Sequence, residues 1–178
     1  MQIFTLSVDE LNNISVRSSL RSGDKLFLSG TVYTARDAAH IKLFDLLEKG
    51  QELPFEIAGS IIYYAGPTPT KPDGQIGSFG PTTSSRMDKF APKLYDLGMT
   101  ASVGKGNRNN DVNSAVKRNK ALYLCAGGGL GALISRSIKN VELIAFEELG
   151  CESIKKLTVE SLPLTVATDI YGNSIFNR

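Results

Sequence analysis

The chain has 178 residues, of which 42% are hydrophobic; that is enough to bury one sizeable core and sits within the ordinary size of a single domain, so residues 1–178 are expected to form one. Twenty Lys and Arg against eighteen Asp and Glu leave a formal charge of +2 with no block of like charge, which disfavours nucleic acid as a partner. The opening MQIFTLSVDELNN has neither a basic n-region nor an apolar h-region, and no stretch holds the ~20 continuous apolar residues of a membrane span, so the chain reads as soluble and cytoplasmic.

In chain order, Asp24 to Tyr33 (DKLFLSGTVY) is rich in β-branched and aromatic residues after the turn-forming Ser22-Gly23 and predicts a strand. A helix should begin near Thr34 to Asp37, carry Ala38, Ile41, Leu43, Phe44, Leu46 and Leu47 on an apolar side, and stop at Gly50. Glu56 to Tyr64 (EIAGSIIYY) reads as the next apolar strand. Gly66 to Pro81 holds eight Gly or Pro among sixteen residues, too many for a regular element, and must be a loop. Ser84 to Leu97 suits a helix kinked or broken at Pro92, Thr100 to Val103 a short strand, and Gly104-Lys105-Gly106 a loop. Asp111 to Asn119 reads as helix and Ala121 to Ala126 as a buried strand. Gly127 to Gly131 turns into a short apolar helix through Ile138, and Val141 to Phe146 and Leu162 to Thr168 complete the strands. Alternating strands and helices indicate an α/β layered domain with strand direction left open.

Basic residues and hydroxyls gather where regular structure should give way to loop: Thr34-Ala35-Arg36-Asp37-Ala38-Ala39-His40, Gly80-Pro81-Thr82-Thr83-Ser84-Ser85-Arg86-Met87-Asp88, and Gly104-Lys105-Gly106. Loops on a rigid α/β scaffold converge at such junctions, so Arg36, Arg86 and Lys105 could share a cleft. Two guanidinium forks and an ammonium suit a small dianion, a dicarboxylate or a phosphate. A single Arg at a helix start is ordinarily a solvated side chain, however, and Thr82 or Thr83 just before a helix is an ordinary N-cap. Asp37 and His40 fall one turn apart and could fix the Arg36 loop or meet substrate, a structural role being the plainer reading of His40. Asp88 is placed to orient Arg86 from two residues away.

The segments SGTVYTARDAAHIKLFDLL, GPTTSSRMDKF and VGKG, in that order, together with the closing ATDIYGNSIF, resemble the C-terminal domain or β subunit of class I fumarate hydratases and the related L(+)-tartrate dehydratases. The resemblance runs through nearly the whole chain. It implies a swivelling β/β/α-type domain whose site is completed by a cluster-bearing α subunit, or a fused N-terminal domain, in an α2β2 hetero-oligomer. The [4Fe-4S] cluster would belong to that partner, since this chain has two cysteines, Cys125 and Cys151, and clusters of this kind are held by three or four thiolates. Residue by residue, the resemblance carries Arg36, Arg86 and Lys105 over as contacts to substrate carboxylates, Thr82 as the hydroxyl that handles the proton, and Thr83 as its neighbour. The implied reaction is reversible hydration of fumarate, with tartrate or a mesaconate-type diacid as alternatives.

Two readings of other classes remain at this stage. Gly127-x-Gly129-x-x-Ala132 follows a strand and superficially fits a dinucleotide fingerprint, although one late βαβ unit leaves little room for a second nucleotide half. A non-catalytic assembly subunit is the other, against which Thr82, Arg36, Arg86 and Lys105 stand together.

Overall fold

The structure is a computed structural model that describes residues 1–68, 77–127 and 131–177. It opens with a strand absent from the sequence reading, β1 (Ile3–Ser7), because its alternation lasts five residues before a capping box between Ser7 and Glu10 starts helix α1 (Val8–Asn12). A second short helix, α2 (Ile14–Arg17), is capped by the Asn13 side chain. Strand β2 (Lys25–Thr34) and helix α3 (Asp37–Glu48) follow as expected.

Of the strand expected over Glu56 to Tyr64, the final residues alone pair, as β3 (Ile61–Tyr63). The preceding residues turn instead: Ser60 N–H bonds to Ile57 O and Gly59 takes a left-handed φ of 75°. The expected loop from Gly66 is irregular through Thr68, whose N–H donates to Ser78 O at 3.0 Å, and its residues 69–76 lie outside the described residues. The helix expected over Ser84 to Leu97 divides into a 3₁₀ turn (Ser84–Met87) and α4 (Ala91–Asp96), with Pro92 accommodated in the first turn where its missing N–H costs nothing.

Strand β4 (Ala101–Gly104), helix α5 (Asn110–Arg118) and strand β5 (Leu122–Ala126) follow. The glycine-rich turn, including Gly129 of the fingerprint, lies outside the described residues at 128–130, and helix α6 (Gly131–Arg136) comes after it. Strand β6 (Ile138–Ala145) starts earlier than expected and stops where Phe146 becomes left-handed at φ 59°. A second 3₁₀ segment (Glu147–Glu152) leads to β7 (Ile154–Thr168), whose first half the sequence reading missed. Ser161 has φ 52°, opposite a register shift in β2 between Leu28 and Gly30; this bulge interrupts the alternation that would have revealed one long strand.

The seven strands pair in the order β1-β2-β3-β4-β5-β7-β6. Strands β1 through β5 run parallel to their neighbours, and β7 runs antiparallel to β5, β6 and β2. The β7–β2 pairing closes β2, β3, β4, β5 and β7 on themselves, so the parallel strands are covered on both faces. One core lies within this ring, where Ile61, Tyr63, Val103, Leu122 and Leu124 meet Leu26, Leu157 and Leu164. The other lies outside it, where Ile62, Tyr64 and Tyr123 meet Leu43 of α3, Leu94 of α4 and Val116 of α5. Two buried faces explain why IIYY and ALYLCA are unbroken apolar runs. The architecture is mixed α/β, and among the described residues no helix is long and apolar enough to cross a membrane.

Candidate functional site

Because β2, β3, β4 and β5 are parallel, their C-terminal ends emerge at one edge, where α/β sheets ordinarily bind ligands. The β2 exit leads through Ala35 to Arg36, which opens α3 with an extended backbone. The β4 exit leads from Gly104 to Lys105. Residues 81–84 are stitched onto the same edge: Thr82 N–H donates to Tyr64 O (2.7 Å), Thr83 bridges Lys105 in parallel, and Ser84 N–H donates to Lys105 O (3.0 Å). Lys105 N–H in turn donates to Ser84 Oγ at 3.1 Å. The approach is so close at Gly104 that a Cβ there would stand 1.9 Å from Ser84 Oγ.

The two guanidinium groups are held by carboxylates. Arg86 Nε–H donates to Asp37 Oδ1 at 2.9 Å and its Nη2 lies 2.8 Å from Oδ2 in the ion pair, which leaves Nη1 directed at Thr82 Oγ1 at 3.4 Å. Arg36 Nη2 lies 3.3 Å from Glu152 Oε1. Thr82 is half-buried, and Thr83 and Lys105 are exposed. Neither threonine acts as a cap, for Thr83 holds the N-cap position of the 3₁₀ turn without a side-chain bond. Contacts therefore run from Asp37 through Arg86 to Thr82, and from Thr83 to Lys105, while Arg36 is held separately by Glu152.

Two supporting expectations are corrected. His40 does not pair with Asp37; it is fully buried between Phe90 and Tyr64, and its Nδ1–H donates to Arg36 O at 2.8 Å, so it holds the backbone of the Arg36 loop. Burial depresses its pKa to about 4, leaving the ring neutral near neutral pH. Asp88 does not orient Arg86 either. It accepts from Arg108 Nε–H (2.6 Å) and Asn109 N–H (2.8 Å), and Asp37 takes the role instead.

Arg108 and Glu152 are the residues that sequence reasoning missed. Arg108 is buried, donates Nη1–H to Ser102 Oγ (3.1 Å) and stacks near Tyr64 and Tyr123, while Tyr123 O–H donates to Gly106 O (2.7 Å). Desolvation opposes its charge, but Tyr64, Tyr95 and Asp88 outweigh it and raise its pKa, so it stays cationic. This buried unit clamps the 104–109 loop to the 84–88 turn. Its sequence signal was thin, one Arg before the Asn109 cap of a helix.

The chain's own residues do not fit an iron-sulfur cluster. Cys125 is half-buried with burial pushing its thiol up, and Cys151 is exposed on a different segment. Among the described residues no three His, Cys, Asp or Glu side chains group as metal ligands.

Fold and site together define an α/β unit that presents two guanidinium groups, an ammonium and a threonine hydroxyl at a strand-exit edge suited to a small dianion. The chain belongs to the family described as Fumarase C-terminus, whose model matches residues 4–178. It is 39% identical over 158 residues to Fumarate hydratase 2 of Leishmania major and 40% identical over 156 residues to the anaerobic class I fumarate hydratase of Escherichia coli. These alignments take in 88% and 86% of this chain but 28% of each relative, so the chain corresponds to little more than a quarter of those proteins. A Methanocaldococcus jannaschii protein provisionally named as the β subunit of an L(+)-tartrate dehydratase is 40% identical over 165 residues, covering 89% of this chain and 85% of that one.

Proposed function

We propose that this chain is the β-subunit portion of a hydro-lyase that interconverts fumarate and (S)-malate, supplying one wall of a site completed by an α subunit. The observation that supports the reading most is Arg86, held by Asp37 and directed at Thr82, on the strand-exit edge that also carries Arg36 and Lys105. Residues 1–178 form one domain of the swivelling β/β/α type in this reading, working in the cytoplasm in an α2β2 assembly. The family's [4Fe-4S] cluster resides on the α subunit, since this chain's two cysteines cannot hold it.

Dehydration removes a proton from the carbon beside one carboxylate and hydroxide from the neighbouring carbon; hydration returns both. Arg36, Arg86 and Lys105 bind the two carboxylates, Thr83 lines their approach, and the same cations stabilise the charge that grows on a carboxylate as the adjacent proton leaves. Thr82 Oγ moves that proton. Because Arg86 Nη1–H donates to Thr82 Oγ1, the hydroxyl's own hydrogen is free for a base, and the guanidinium favours the deprotonated oxygen. A carboxylate of the partner completes the pair.

The experiment is to co-express the chain with its cluster-bearing partner, reconstitute it without oxygen, and follow fumarate loss beside Thr82→Ala. The expected loss in kcat is about 10²–10⁴-fold with the cluster spectrum unchanged. Full activity in the variant, or turnover by this chain alone, would contradict the assignment. Tartrate is the second reading, favoured by the near-equal length of the Methanocaldococcus jannaschii relative. A complex that assembles yet ignores fumarate and dehydrates tartrate, or a methylated diacid such as mesaconate, would select it.

A further inference from the structure

Arg36 packs where Gly66 meets the segment Glu147–Glu152. At Gly66 a Cβ would come within 2.8 Å of Arg36 Nη1, 3.1 Å of its Cδ and 3.0 Å of Cys151 O. From that segment Glu152 uses both oxygens: Oε2 accepts Ala38 N–H at 3.0 Å, in the first turn of α3, and Oε1 faces Arg36 Nη2 at 3.3 Å. The two side chains are about equally sheltered, 21% and 22% exposed. Arg36 Nε is buried without a hydrogen-bond partner, so Glu152 is the one carboxylate that fixes this guanidinium among the described residues. The Lys42–Glu148 ion pair binds the same segment to α3.

We propose that Glu152 is a positioning residue: anchored by a helix amide, its carboxylate sets the direction of the Arg36 fork and thereby the grip on one substrate carboxylate. The inference rests on the reading that Arg36 binds substrate. The carboxylate can do this because a fixed anion selects one arrangement of a long, otherwise rotatable side chain, so less ordering is left to be paid when substrate arrives. Gly66 adds the steric half of the constraint.

Glu152→Gln separates this role from helix capping, because the amide oxygen still accepts Ala38 N–H while the charge is gone. In the assembled holoenzyme, Glu152→Gln is expected to raise the fumarate KM and the inhibition constant of succinate, a non-reacting diacid, about tenfold, with kcat within about threefold and the thermal midpoint nearly unmoved. Arg36→Lys should raise the same constants, and adding Glu152→Gln to it should cost little more, since both act through one guanidinium. Glu152→Asp, too short to span both contacts, should show the same rise in weaker form and serves if the Gln variant does not assemble. An unchanged or lower succinate constant in Glu152→Gln, or full additivity with Arg36→Lys, overturns the proposal while leaving Arg36 in place. If Arg36→Lys itself leaves the succinate constant unchanged, the substrate-binding role of Arg36 fails and the role of Glu152 with it.

Discussion

His40 places the chain's single histidine in the core, where Arg108 and Asp37 are its charged neighbours and burial holds its pKa at about 4 against an ordinary 6.5. A depressed folded-state pKa means the unfolded chain takes up the proton first. The contribution of His40 to stability is therefore complete above pH ~6.5 and is lost as pH falls towards 4. Between pH 7 and pH 5 the stability difference between the parent and His40→Gln should shrink by about 2 kcal/mol in urea titrations, and a constant difference would refute the assignment. Arg108 and Asp88 make a different case, since their side chains are 0% and 9% exposed. Arg108→Met strands the Asp88 charge and should cost about 3–5 kcal/mol, read as a lower denaturant midpoint, with the complex losing dicarboxylate affinity as the 104–109 loop loosens. In the sequence, Lys105 and Thr82 stand out beside glycine or proline and Arg36 just past a strand end, whereas Arg86 is singled out by the resemblance of its GPTTSSRMDKF segment. Arg108 and Glu152 were not legible there, since their partners stand 20 and 114 residues away and nothing in a local window reports such a contact.

The junctions between elements decide whether these residues meet. Gly104 ends β4 beneath Ser84, whose oxygen already accepts from Lys105 N–H and lies 3.0 Å from Tyr123 Oη. A methyl group at residue 104 would overlap that oxygen at 1.9 Å and press on Tyr64 at 3.0 Å, both buried. Gly104→Ala should destabilise the chain by about 1–3 kcal/mol and displace Lys105, raising KM more than it lowers kcat, which steady-state kinetics at matched temperature would show. Wild-type stability and kinetics in that variant would mean the loop can shift freely. Helix α3 and strands β2, β4 and β5 were readable from periodicity and apolar runs, because burial imposes them residue by residue. The first half of β7 was hidden by the bulge at Ser161 and by its partly exposed residues, and β1 by its brevity; both are strands because the sheet recruits them.

At the scale of the whole molecule, the ring of strands makes a rigid platform, yet its strand-exit edge is open. Lys105 and Thr83 are exposed, and the Arg86 side chain is 49% exposed even while paired with Asp37. Cations in that setting act through a high dielectric: at ~4 Å a charge pair is worth about 1 kcal/mol in water and several times that where water is excluded. The isolated chain should then bind succinate weakly, with a dissociation constant on the order of millimolar, and should lose that affinity several-fold as ionic strength rises from about 0.02 to 0.2 M. In the proposed assembly, with a partner over the edge, the same residues should bind more tightly and the salt dependence should flatten. Titration of the lone chain and of the complex by calorimetry at two salt concentrations distinguishes the cases. Tight, salt-insensitive binding by the lone chain would mean that the cleft is already closed and that the partner contributes chemistry rather than enclosure.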